Sequence, residues 1–170
     1  KMSSLLDWKD RNTCVLFGDG AGAVILSESN KPGILSTTIG SDGSYKDLLT
    51  VDIDSEFIEM KGNDVFKIAV KTMGKLAVST LQKNNMTIDE INWLIPHQAN
   101  SRIINAIAKK ISLPNEKVIL TVDKHGNTSA ASIPLALDDA YQNGSLQEGD
   151  LIMFEAFGAG FTWGSALLKF

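Results

Sequence analysis

Trp93-Leu94-Ile95-Pro96-His97-Gln98-Ala99-Asn100-Ser101 passes from a short apolar run directly into the segment Ser101 to Ile111. In that segment Ile103, Ile104, Ile107 and Ile111 share one helical stripe, which stops before Pro114. A strand that gives way to a helix within a few residues is the unit of an α/β sheet. Outward in both directions the alternation continues. Val118-Ile119-Leu120-Thr121-Val122 predicts another strand. A helix over Ser129 to Gln142 follows, closed by Asn143-Gly144, and Pro134 must kink it or shift its start. Upstream, Phe66, Val70, Met73, Ala77 and Leu81 recur at helical spacing within Asn63 to Gln82, with Asn63 as the expected cap.

The two ends of the chain repeat one pattern. Leu151-Ile152-Met153-Phe154 leads through Gly158-Ala159-Gly160 to Ala166-Leu167-Leu168. Likewise Cys14-Val15-Leu16-Phe17 leads through Gly18-Asp19-Gly20-Ala21-Gly22 to Ala23-Val24-Ile25-Leu26. Each reads as strand, glycine turn, strand, and the recurrence suggests two related halves. The first glycine turn lacks the helix that a phosphate-binding loop needs after it, so nucleotide binding is not expected. The polar segment Gly40 to Glu59 reads as a long surface excursion.

With 170 residues, 44% hydrophobic and 21% charged, the chain carries enough apolar material for a packed core. It has no run of about 18 uninterrupted apolar residues, the length that spans a bilayer. Lys1 to Asp10 also lacks the apolar core of a signal peptide. A soluble, cytoplasmic protein with no membrane contact is therefore expected. The net charge of −4, without aromatics interleaved among basic residues, predicts no nucleic-acid partner. Cys14 alone can make neither an internal disulfide nor a multi-cysteine zinc site, and no metal is expected. The opening Lys1-Met2, set in an already polar stretch, reads as an internal cut rather than a natural beginning.

Two histidines stand where strands end, which is where an α/β sheet gathers its chemistry. His97 lies at the mouth of the Ser101 helix, and His125 lies in Lys124-His125-Gly126-Asn127-Thr128-Ser129. A helix amino terminus disfavours the protonated imidazole and keeps a neutral hydrogen-bond donor available. An asparagine amide is a second neutral donor. Two such donors on one carbonyl oxygen would stabilise an enolate, each contributing roughly 3 to 4 kcal/mol when well placed. On spacing alone, a capping histidine and a turn asparagine remain the plainer readings.

Longer strings sharpen the picture. Leu94-Ile95-Pro96-His97-Gln98-Ala99-Asn100, His125-Gly126-Asn127-Thr128-Ser129-Ala130-Ala131-Ser132 and Glu155-Ala156-Phe157-Gly158-Ala159-Gly160-Phe161-Thr162-Trp163-Gly164 closely resemble the β-ketoacyl-acyl carrier protein synthase III family of the thiolase superfamily. So do Phe17-Gly18-Asp19-Gly20-Ala21-Gly22-Ala23 and Ser41-Asp42-Gly43-Ser44, so the likeness runs through the whole chain.

This resemblance implies a thiolase-like α/β fold with a mixed five-stranded sheet. Residues 1–30 would end an amino-terminal half, and residues 31–170 would form the carboxyl-terminal half. It implies an acyltransferase that condenses an acyl group from coenzyme A with malonyl-acyl carrier protein, initiating fatty acid synthesis as a homodimer without a resident cofactor. His97 and Asn127 would be catalytic, and His125 a loop neighbour. The nucleophilic cysteine would lie upstream of Lys1, leaving this piece inactive alone, because Cys14 is expected in an apolar strand with no helix start to activate it. Ala159 would sit in the oxyanion loop, where the family often has a third glycine. Gly62, Phe66, Ala99, Asn100 and Phe157 would border the coenzyme A and substrate path. Lys67, Arg102, Lys109 and Lys110 would dock the acidic carrier protein. Rival readings are a polyketide or quinolone starter synthase of the same superfamily, and a non-catalytic carrier-docking module.

Overall fold

The computed structural model describes residues 1–31, 33–51 and 56–170. In chain order the elements are β1 (Ile34–Ser41), β2 (Leu49–Val51), β3 (Ile58–Met60), α1 (Gly62–Lys83), β4 (Trp93–Pro96), α2 (Ser101–Lys110), α3 (Val122–His125), α4 (Ser132–Gln142), β5 (Leu151–Gly158) and β6 (Thr162–Lys169). Four strands form the main sheet in the order β1-β6-β5-β4, with β4 and β5 parallel and the other pairs antiparallel. A fifth position lies beyond β4. There Val118 makes one parallel bridge to Leu94, and the Ile119 N–H donates to the Leu94 carbonyl at 2.9 Å.

The fifth strand stops after this bridge because Val122, expected inside it, instead opens α3. The Gln98 side chain takes over the missing ladder bonds. Its Nε2 donates to the carbonyls of Pro96 (2.8 Å) and Ile119 (3.2 Å), and its Oε1 accepts from the Thr121 N–H at 2.8 Å. Gln98 is buried, so its loss would leave main-chain groups without partners. We expect Gln98→Leu in the complete protein to lower stability by about 2 to 5 kcal/mol in urea unfolding. A loss under about 0.5 kcal/mol, the range of an unremarkable surface substitution, would show that the amide bridges nothing essential.

Each face of the sheet meets its own helix. Ala77 and Leu81 of α1 pack on Leu94, Leu151, Met153 and Leu167. On the opposite face Ala136 and Ala140 of α4 pack on Ile95, Ile119 and Ile152. Successive residues on β5 thus alternate between two buried layers, Leu151 and Met153 in one and Ile152 in the other, which explains its unbroken apolar run. A second seam joins Ala69, Met73 and Leu76 of α1 to Ile103 and Ile107 of α2.

The helix ends differ from expectation in instructive ways. Lys61, not Asn63, is the residue before α1, and Asn63 lies within the first turn. Asn85, just past its end, takes the left-handed conformation that asparagine tolerates well (φ 55°). Asn100 caps α2, its Oδ1 accepting from the Ile103 N–H at 2.9 Å. A 3₁₀ turn over residues 129–131 precedes α4, so Pro134 falls in the first helical turn, where a missing N–H leaves no helical bond unmade.

Two regions depart from the expected pattern. The excursion from Gly40 to Glu59 holds the end of β1, a 3₁₀ turn and the antiparallel pair β2–β3, while its residues 52–55 lie outside the described residues. The first strand pair does not form. Cys14 and Leu16 donate to Asp10 and Thr13 carbonyls in consecutive turns, and Phe17 makes one bridge to Asn127. Val24, Ile25 and Leu26 are exposed, Ile25 at 97%, because no described strand offers them an edge to pair with. Cys14 is consequently half-buried in a turn rather than enclosed in a strand.

Candidate functional site

A cavity of about 910 Å³ opens at the carboxyl ends of β4 and β5. His97, Asn127, Ala99, Asn100, Phe157 and Ala159 all line it.

His97 continues β4 by one step, its N–H donating to the Glu155 carbonyl at 2.7 Å. Its ring Nδ1 lies 2.7 Å from the hydroxyl of Ser132, the first residue of α4. The same hydroxyl accepts the Gln98 N–H at 3.2 Å. Burial pushes the imidazole pKa down to about 4, opposed by the nearby Ser129 main-chain carbonyl. The ring is therefore neutral at neutral pH, as anticipated, although desolvation rather than a helix dipole is the main cause.

Asn127 is held by its own main chain. Its N–H donates to the Leu16 carbonyl (2.8 Å), and its carbonyl accepts from the Gly18 N–H (2.9 Å). Gly126 before it has φ +68°, and any Cβ on Gly18 would run into the His125 main-chain oxygen. Both glycines permit the close approach that seats the loop. The Asn127 Oδ1 accepts from the Ser129 N–H at 3.0 Å, an orientation that leaves the amide Nδ2 as donor. Two neutral donors thus reach one largely apolar cavity from separate loops.

The β5–β6 turn supplies another wall. Ala159 takes an ordinary φ while Gly160 carries the positive one (φ +128°), so alanine is compatible with this turn. Phe157 packs its ring 4.6 Å from that of Phe161, which stacks on Tyr45.

Other expected site residues are dispersed. Gly62 and Phe66 do not line the cavity, and the Arg102 guanidinium sits 5.8 Å above the Phe66 ring. The Oδ1 of Asn100 is engaged in capping α2. Lys67, Arg102, Lys109 and Lys110 are exposed on the neighbouring helices α1 and α2, with Lys67 paired to Asp64 at 3.3 Å. His125 is exposed and away from the cavity lining.

Three polar residues were not singled out from the sequence. Ser132 and Gln98 lie inside the motif strings, but only the fold brings them to His97. Glu155, an acid within an apolar strand, gave a visible signal. It lines the cavity yet is fully buried, and neither carboxyl oxygen has a partner among the described residues. Burial raises its pKa well above the usual carboxylate range. Among the described residues no three His, Cys, Asp or Glu side chains cluster as a metal centre would require, and no helix is long and apolar enough to cross a membrane.

Comparison with known proteins places these features in a family. Residues 81–170 match the 3-oxoacyl-[acyl-carrier-protein] synthase III C-terminal model, and residues 1–43 match the synthase III model. The chain is 56% identical to a β-ketoacyl-[acyl-carrier-protein] synthase III of Thioalkalivibrio sulfidiphilus, across 99% of this chain and 56% of that protein. It superimposes on the 3-oxoacyl-[acyl-carrier-protein] synthase III of Aquifex aeolicus with a TM-score of 0.97 and 48% identity, covering 100% of this chain and 55% of the other. The priming β-ketosynthase of the R1128 polyketide pathway matches with a TM-score of 0.90 and 33% identity, over 99% of this chain and 54% of that one. The architecture is thus the thiolase-like α/β fold. The chain spans about half the length of the relatives it matches.

Proposed function

Because this chain belongs to the 3-oxoacyl-[acyl-carrier-protein] synthase III family, we propose that it supplies the histidine and asparagine of a Cys-His-Asn condensing site. The cysteine lies outside the chain, and the piece alone does not condense. The complete enzyme takes an acyl group from coenzyme A onto that cysteine. His97 and Asn127 then hold the thioester oxygen of malonyl-acyl carrier protein. The bond to the malonyl carboxylate breaks, carbon dioxide leaves, and the electron pair moves into an enolate at the held oxygen. The enolate carbon attacks the acyl-cysteine carbonyl, which releases the thiolate and yields 3-ketoacyl-acyl carrier protein. The N–H of Ala159 faces the oxyanion formed at that carbonyl, Phe157 borders the acyl group, and Gly62, Phe66, Ala99 and Asn100 line the path of the pantetheine arm.

The observation that carries this reading is the neutral pair in one apolar cavity. A protonated histidine would bind the malonyl carboxylate and stabilise the ground state, whereas a neutral donor stabilises only the charge that develops. No metal or redox cofactor enters this sequence of steps. The exposed cations of α1 and α2 suit an acidic carrier protein, and the protein works as a cytoplasmic homodimer at the start of fatty acid synthesis.

Incubating the complete protein with acetyl-coenzyme A and malonyl-acyl carrier protein, with the carrier followed by intact mass, tests the proposal. The expected product is acetoacetyl-acyl carrier protein; a carrier that keeps its malonyl group would overturn it. The likeness to a polyketide priming enzyme supports a second reading, a starter synthase with another acyl preference. A panel of acyl-coenzyme A primers separates the two, since the starter synthase would favour a longer or branched primer.

A further inference from the structure

Resting on that reading of His97, we infer that Ser132 is a positioning residue whose hydroxyl fixes the His97 tautomer, with the proton on Nε2 and the lone pair on Nδ1. Serine has one hydroxyl proton and two acceptor lone pairs. The Gln98 N–H occupies one lone pair of Ser132 Oγ at 3.2 Å. The other contact of this buried hydroxyl is His97 Nδ1 at 2.7 Å. If Nδ1 carried the proton, Oγ would accept twice, and its own hydrogen would be left buried without an acceptor. If Nε2 carries it, Ser132 donates to Nδ1, and all three groups are satisfied. Leaving a buried donor unpaired costs about 1 to 3 kcal/mol, which favours the Nε2–H form by about 5- to 150-fold.

The neighbouring contacts strengthen the assignment. Ser132 opens α4, whose Ala136 and Ala140 are fully buried against the sheet, so its hydroxyl is carried on a rigid element. Gln98 is itself held by three side-chain bonds, so the N–H that occupies Ser132 Oγ is fixed as well. The Ser129 main-chain carbonyl is a further acceptor at the ring and favours its protonated form, while the 2.7 Å contact at Nδ1 is to Ser132 Oγ. The nitrogen a histidine presents to substrate is set by the bond its other nitrogen makes. Here that bond leaves Nε2–H as the donor.

Long-range proton–nitrogen correlation spectra of the complete protein, ¹⁵N-labelled at histidine and recorded at pH 7.5, read the tautomer directly. The expected result is a neutral His97 with its proton on Nε2; a proton on Nδ1 in the unmodified protein overturns the inference. In Ser132→Ala the Nε2–H population should fall, and the turnover number for malonyl decarboxylation should drop about fivefold or more with little change in KM. Ser132→Thr, which keeps the hydroxyl, should restore both. A decarboxylation rate that falls in Ser132→Ala while the tautomer stays unchanged would assign Ser132 a packing role and reject the inference. The spectrum does not depend on the condensing reaction. A protein that shows Nε2–H but never decarboxylates a malonyl thioester would leave this inference standing and sink the proposed function.

Discussion

His97→Ala or Asn127→Ala in the complete enzyme is expected to slow malonyl decarboxylation by roughly 10²- to 10³-fold, the usual cost of removing one oxyanion donor. Acylation of the cysteine should survive substantially intact, because that step builds charge at a different carbonyl. The two residues come from different loops, one continuing β4 and the other stitched to residues 16–18, so neither loss should collapse the other's position. Both nevertheless act on one developing charge. The double variant should therefore fall short of the product of the two single effects. Separate half-reaction assays, with labelled acetyl-coenzyme A for acylation and malonyl thioester for decarboxylation, measure the two steps. Acylation that collapses while decarboxylation persists would mean that the pair activates the nucleophile instead.

Much of this site was legible in the sequence because short-range features placed it. An apolar strand running into an amphipathic helix sets His97 at a strand end, and the following strand-like run sets Asn127 at another. Both lie on the cavity. Side-chain substitution for backbone was not legible. Val118 to Val122 has the composition of a full strand, yet Gln98 takes its ladder bonds, and α3 starts at Val122. Cys14 to Leu26 has strand composition too, but pairing depends on an available edge, which no local pattern reveals. The role of Ser132 was hidden for a related reason. It lies 35 residues from His97, and only α4 packing against the sheet brings its hydroxyl to the ring. The expected placement of Phe66 and Gly62 along the coenzyme A and substrate path came from resemblance alone; neither lines the cavity, while Phe66 packs in one cluster with the cavity residues Ala99 and Phe157.

Acid stability should show two opposing slopes, one from His97 and one from Glu155. The folded-state pKa of His97 is depressed from 6.5 to about 4. Its neutral burial is compatible with folding above the unfolded value, and the associated stability is lost as pH falls from 6.5 through about 4, where the unfolded chain takes a proton and the folded one does not. Over the full window this amounts to about 3 kcal/mol. Glu155 works in the other sense. Its folded pKa is raised well above 4.5 by burial, so its contribution is fully present below 4.5 and is lost as pH rises through the folded value. Between pH 6.5 and 4.5, acidification therefore costs stability through His97 and restores it through Glu155. Hydrogen bonds from Asn12, Ser3 and Ser44 hold Asp10, Asp19 and Asp42 below the usual carboxylate value of 3.8, so these exposed groups act at more acid pH, outside the window. Urea unfolding midpoints across pH 4 to 8 separate the two buried groups. His97→Gln should remove the loss and leave a protein that becomes more stable on acidification, whereas Glu155→Gln should expose the His97 loss in full. Parallel curves for His97→Gln and the unmodified protein would show that the imidazole titrates normally in the folded state, and burial as the cause of its neutrality would have to be abandoned.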